Sequence, residues 1–127
     1  MKTVFYRCRH CGNVILKTHD SGVPVQCCGE DMEELNPQGK DEGVEKHLPV
    51  TDKPDDYSLH VTIGSVEHPM MQNHYILFVY LETEKGGQIA YLTPSDKPSV
   101  TFCCKHDKPV AVYEYCNLHG LWKTDIP

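Results

Sequence analysis

No apolar run in this sequence is long enough to cross a bilayer. The longest, Tyr75 to Leu81, stops far short of the roughly 20 residues a spanning helix needs. An excess of basic residues is also missing: 12 Lys plus Arg stand against 18 Asp plus Glu, a formal net charge of −6. With no cationic stripe to release counterions, the balance argues against a nucleic-acid or anionic-membrane partner. The N-terminus, MKTVFYRC, carries a lysine but no apolar stretch before its first cysteine, so no export signal is expected. No segment combines helical periodicity with helix caps, and there is no internal repeat. Metal-ligating residues are abundant instead: 7 Cys and 8 His in 127 residues. An odd cysteine count without an export signal reads as thiolates in a reducing compartment rather than a disulfide framework.

The cysteines are segregated. Cys8, Cys11, Cys27 and Cys28 fall near the start, and Cys103, Cys104 and Cys116 near the end. Between the two groups, NPQGKDEG is polar and rich in turn formers, and residues 37–43 are expected to be a linker. Residues 1–36 contain too few apolar side chains for a self-sufficient core, and a chain of that size usually needs a metal or disulfide staple. Residues 44–127 alternate as a β protein does. Leu59, Val61 and Ile63 share one face opposite Ser58, His60 and Thr62, and Tyr75 to Glu82 is β-branched and aromatic. Glu84 to Gly87 is a turn leading into Gln88 to Leu92, and Val100, Phe102 and Cys104 alternate next. Pro109 to Tyr115 supplies a further strand. The expectation is an all-β chain: a small rubredoxin-like metal module followed by an immunoglobulin-like antiparallel β-sandwich.

In the first segment, CRHCG is followed fifteen residues later by CCG. A C-x-x-C turn lets two sulfurs converge on one ion, and Gly12 permits the positive φ such a knuckle often needs. The second pair, Cys27-Cys28, is vicinal and cannot form the same knuckle. In extended backbone its side chains point opposite ways, so the tetrahedron is expected to be distorted. His10 and His19 read as solvent-facing loop residues, and structural zinc is the plainer alternative for the four sulfurs.

The histidines then become informative. His47 lies in EKHLPV, His68 in EHPM, His74 heads a strand, and Cys116 and His119 form C-x-x-H in CNLHG. Four imidazoles with one thiolate suit ferrous iron, zinc or copper better than magnesium or calcium. Five protein ligands leave a sixth position open, unlike closed four-coordinate structural zinc. His60 reads as an exposed strand residue and His106 as a turn residue. Cys103 and Cys104 read as free thiols, one buried and one partly exposed. A copper site of the cupredoxin kind is disfavoured, because Leu121 and Trp122 stand where a methionine would follow.

The segments YRCRHCGN, CCGEDM, EKHLPV, GSVEHPM, HYI and EYCNLHGLWK occur in an order and spacing that resemble the desulfoferrodoxins, two-iron superoxide reductases, over essentially the whole chain. The resemblance implies a desulforedoxin-like N-terminal module in which Cys8, Cys11, Cys27 and Cys28 hold a distorted ferric tetrathiolate, centre I. It implies a neelaredoxin-like C-terminal domain holding a ferrous centre II, with His47, His68, His74 and His119 equatorial and Cys116 axial. Glu45 matches the carboxylate that occupies the sixth position in the ferric state, and Lys46 the cation beside it. The implied activity is one-electron reduction of superoxide to hydrogen peroxide, with two iron ions per chain. Rubredoxin or a similar donor would re-reduce the enzyme, a cytoplasmic homodimer. A non-enzymatic electron-transfer iron protein and a zinc-stapled β-sandwich binding module are the alternatives. Asp31 where proline is common, the aliphatic Ile76-Leu77-Phe78 and the Cys103-Cys104 doublet depart from the family pattern without touching a proposed ligand.

Overall fold

The computed structural model describes residues 3–42 and 45–127. Gly43 and Val44, where the expected linker meets the second domain, lie outside them. The chain divides into two compact units, Met1–Asn36 and Pro37–Pro127, and no helix occurs among the described residues.

The first unit is built from five very short strands: β1 (Phe5–Arg7), β2 (Val14–Leu16), β3 (Gln26–Cys27), β4 (Glu30–Asp31) and β5 (Glu33–Glu34). They form a three-stranded sheet ordered β2-β1-β5 and a separate β3-β4 hairpin. Strands of two or three residues bury little, so here the local order comes from turns and polar contacts. Arg7 pairs with Glu33 at 3.1 Å and Arg9 with the same carboxylate at 2.8 Å, tying β1 to β5.

The second unit holds β6 (Pro49–Asp55), β7 (Ser58–Ile63), β8 (Ile76–Thr83), β9 (Gly86–Tyr91), β10 (Ser99–Cys103), β11 (Pro109–Cys116) and β12 (Gly120–Asp125). They form two antiparallel sheets, β10-β7-β6 and β12-β11-β8-β9. The core draws on both: Leu59, Val61, Ile63 and Phe102 from one sheet pack with Ile76, Val79, Leu81, Val112 and Cys116 from the other. The alternation in β7 is as expected, with Leu59, Val61 and Ile63 buried and the residues between them partly exposed. This is the sandwich that period-two patterning dictates when each sheet has one apolar face.

One boundary differs from expectation. The β8–β9 turn is the two residues Glu84-Lys85 alone, because Thr83 pairs directly with Gly86. Gly87 belongs to the strand, and a Cβ there would lie 2.1 Å from the Tyr80 hydroxyl. Its lack of a side chain thus serves a close approach within the sheet rather than a turn.

Candidate metal centres

In the first unit the sulfurs of Cys8, Cys11, Cys27 and Cys28 all lie within 4.8 Å of one another. The C-x-x-C turn closes through Gly12 N–H donating to Cys8 O at 3.0 Å, with Gly12 at φ 83°, and Cys11 N–H donates to Cys8 Sγ at 3.5 Å. This backbone donor is the main reason the Cys8 thiol is pulled down to about 6. The other pair is solved by the backbone. Cys28 and Gly29 are the two central residues of the β3–β4 hairpin, with φ 53° and 75°. Two successive positive φ values are the pattern of a type I′ turn, which favours Asn and Gly. A cysteine there leaves the extended conformation in which neighbouring side chains diverge, and so turns its sulfur to the same side as that of Cys27. Bonds from Cys28 to the other thiols push it up to about 12. Four sulfurs so crowded cannot all ionise without a cation, which is the condition a tetrathiolate metal centre meets. All seven cysteines are free of disulfides.

In the second unit each candidate ligand comes from the end of a strand or from a tight connection. His47 precedes β6. His68 closes the turn after β7, its N–H donating to Ile63 O at 3.2 Å. His74 sits just before β8, paired with Met71. Cys116 ends β11 and faces Gly120, the first residue of β12 at φ 82°, so His119 lies in a three-residue turn. Its Nδ1 comes 3.8 Å from Cys116 Sγ.

The four imidazoles close a ring. Centroid distances are 4.8 Å for His47–His68, 5.0 Å for His68–His74, 5.2 Å for His74–His119 and 4.9 Å for His119–His47. The Glu45 carboxylate reaches into it. Its Oε1 lies 2.9 Å from His74 Nε2, 3.3 Å from His68 Nε2 and 3.8 Å from His47 Nε2, and its Oε2 3.8 Å from His119 Nδ1. Ligand atoms of His47, His74, Cys116 and His119 fall within 4.8 Å of one another, and His68 joins His47, His74 and Glu45 in a second such group. Lys46, beside Glu45, is partly buried.

The donor chemistry fits a cation. His68 Nδ1 lies 2.8 Å from Pro69 O, so that nitrogen carries the proton and Nε2 presents a lone pair inward. Glu45 Oε1, His68 Nε2 and His74 Nε2 are buried without a hydrogen bond. Burial holds His47 down to about 4 and lowers His68 as well, which keeps both neutral and able to ligate. Burial raises the Cys116 thiol, while backbone N–H groups of Leu118 and His119 act in the opposite sense, and a bound cation would decide in favour of the thiolate.

Several supporting residues carry no signal of their own in the sequence. Asn117 accepts from Tyr75 N–H at 2.9 Å and donates to Asn73 O at 3.1 Å, gripping both neighbours of His74. Gln38 Nε2 donates to His119 O at 2.9 Å, and Trp122 Nε1 donates to the same oxygen at 3.2 Å. Glu114 is fully buried with neither oxygen bonded, and burial pushes its carboxyl well above the ordinary range. Outside the centres, His10, His19 and His106 are exposed, and His60 Nδ1 lies 2.8 Å from Thr101 Oγ1. Cys103 is exposed and Cys104 buried.

Comparison with known proteins agrees with both centres. The family model "Desulfoferrodoxin, N-terminal domain" matches residues 2–35 and the model "Desulfoferrodoxin" matches residues 39–125. A desulfoferrodoxin of Nitratidesulfovibrio vulgaris is 42% identical over 120 residues, covering 94% of each chain. One from Syntrophotalea carbinolica is 39% identical over 124 residues, covering 98% of this chain and 97% of that one. The crystal structure of the superoxide reductase from Treponema pallidum superposes with a TM-score of 0.82 at 32% identity, covering 98% of both chains. The chain belongs to the desulfoferrodoxin family.

Proposed function

We propose that this chain reduces superoxide to hydrogen peroxide at the ring of His47, His68, His74 and His119 backed by Cys116. The observation that carries the reading is the convergence of four imidazoles and one buried thiol on a point the Glu45 carboxylate reaches. The cofactors are two irons per chain. Cys8, Cys11, Cys27 and Cys28 would hold one in residues 1–36, and the histidines with Cys116 the other in residues 44–127, with 37–43 joining the two modules. Iron held at the second centre in its ferrous state would supply the single electron that, with two protons, turns superoxide into hydrogen peroxide.

The remaining roles belong to the chain. The imidazoles add no negative charge to the site, which favours an anionic substrate there despite the acidic surface. Lys46 draws superoxide toward the mouth beside Glu45 and orients water that gives up a proton. Backbone N–H groups of Leu118 and His119 temper the Cys116 sulfur, which would donate electron density to a bound iron. After turnover the Glu45 carboxylate closes the site, a movement its present reach to all four imidazoles makes short.

Rubredoxin or a similar small redox protein is the proposed electron donor, and a cytoplasmic homodimer engaged in superoxide detoxification the proposed setting. Free thiols support a reducing compartment, and no helix of the described residues is long and apolar enough to cross a membrane. Metal analysis with a visible spectrum tests the assignment. About two irons per chain, with a tetrathiolate absorption joined by a second band on oxidation, is the expected result. Zinc in a colourless protein would refute it.

A further inference from the structure

The loop Glu45-Lys46-His47 carries three of the residues named above and lies outside every strand, since β6 begins only at Pro49. No sheet partner therefore fixes its backbone, and the donors of His47 and Leu48 need another acceptor. Asp41 supplies it. Its Oδ1 accepts from His47 N–H at 2.6 Å and its Oδ2 from Leu48 N–H at 3.1 Å. One carboxylate thus clamps two consecutive peptide units, with both oxygens used. The loop's other side rests on Gly64. Gly64 N–H donates to Leu48 O at 3.1 Å, and a Cβ at that position would lie 2.6 Å from Lys46 O and 3.2 Å from Lys46 Cβ.

The segment holding Asp41 is itself anchored. Gln38 N–H donates to Leu121 O at 3.0 Å, and Gln38 O accepts from Lys123 N–H at 2.9 Å, pairing it in parallel with Trp122. Residues 37–42, read from sequence as part of a linker, are therefore tied to β12 through Gln38. They bond the backbone of two neighbouring members of the imidazole ring: Gln38 at His119 and Asp41 at His47.

We propose that Asp41 is a positioning residue for the superoxide reaction, setting the ring plane of His47 and the reach of Glu45 and Lys46 through its two bonds to the loop backbone. The role rests on the reading of the second centre as the place where superoxide is reduced. Asp41 touches neither substrate nor ligand nitrogen. It acts through the peptide planes from which those side chains project, where a displacement of about an ångström is enough to cost a hundredfold in rate.

The test compares iron-loaded native protein with Asp41→Asn, which keeps the shape and one acceptor, and Asp41→Ala, which keeps neither. Three quantities are read: iron content, the visible band of the oxidised second centre, and the superoxide rate constant at low and high salt. Both variants are expected to retain two irons and the tetrathiolate absorption. In Asp41→Ala the oxidised band shifts as Glu45 loses its fixed approach, and the low-salt rate falls about tenfold as Lys46 is displaced, with Asp41→Asn between the two. An unaltered band and rate in Asp41→Ala would overturn the proposal. So would loss of the second iron from both variants, which would make Asp41 a residue that holds the site together rather than one that aims it. If native protein itself fails to reduce superoxide, the reading of the reaction falls, while the spectral comparison still decides whether Asp41 sets the approach of Glu45.

Discussion

His47 lies face to face on Trp122, with ring centroids 4.5 Å apart and planes 8° from parallel. The same indole donates to the carbonyl of His119, so the single tryptophan of the chain steadies two neighbours in the imidazole ring. Stacked aromatic pairs contribute about 0.5–1.5 kcal/mol beyond the area they bury. Trp122→Phe keeps the stack but loses the hydrogen bond, and should release iron from the second centre a few-fold faster to a chelator. Trp122→Ala loses both, opens a cavity and should lower unfolding stability by about 3–5 kcal/mol in denaturant titration. Unchanged iron release in both variants would show that the stack has no bearing on the centre.

Lys46→Ala should slow the second-order reaction with superoxide by up to about tenfold at low ionic strength, and much of the salt dependence should go with it. Pulse radiolysis at two salt concentrations reads both. An equal rate in native and variant protein would remove Lys46 from the approach path.

Glu45→Ala should leave the first reduction fast, because the carboxylate is assigned to closing the site after turnover. It should change the visible spectrum of the oxidised second centre, since among the described residues no other carboxylate lies within 4.0 Å of the ring nitrogens of the four histidines. An unaltered oxidised spectrum would contradict that role.

Cys8→Ser removes a thiol that the Cys11 N–H helps pull down to about 6 and should abolish the tetrathiolate absorption. The first unit has strands of only two or three residues, so it should also lose its amide protection in hydrogen exchange. The second unit has its own two-sheet core and should keep its protection and its pre-reduced reaction with superoxide. Loss of that reaction in Cys8→Ser would mean that the two centres depend on each other.

The sandwich was legible because the alternation of Leu59, Val61 and Ile63 states which face is buried, and the ligand types were legible because Cys and His are rare enough to stand out. What supports them was not. Cys28 carries no mark that its φ is positive; that follows from the two-residue hairpin it closes with Gly29. Asp41 sits among polar turn formers, and only its bonds to His47 and Leu48 distinguish it from a solvated acid. Gly86 and Gly87 resemble a turn in sequence, but the ladder places both in β9. In each case the deciding fact is a pairing or hydrogen bond only three to seven residues away, set by the conformation of the turn and not by residue type.

The central claim is that this protein reduces superoxide without dismuting it. The direct measurement gives iron-loaded, pre-reduced protein a known quantity of superoxide and records hydrogen peroxide and dioxygen together. One peroxide for each superoxide consumed, with no dioxygen evolved, is the predicted result. Dioxygen released alongside half that yield of peroxide, or superoxide left unconsumed, would contradict it.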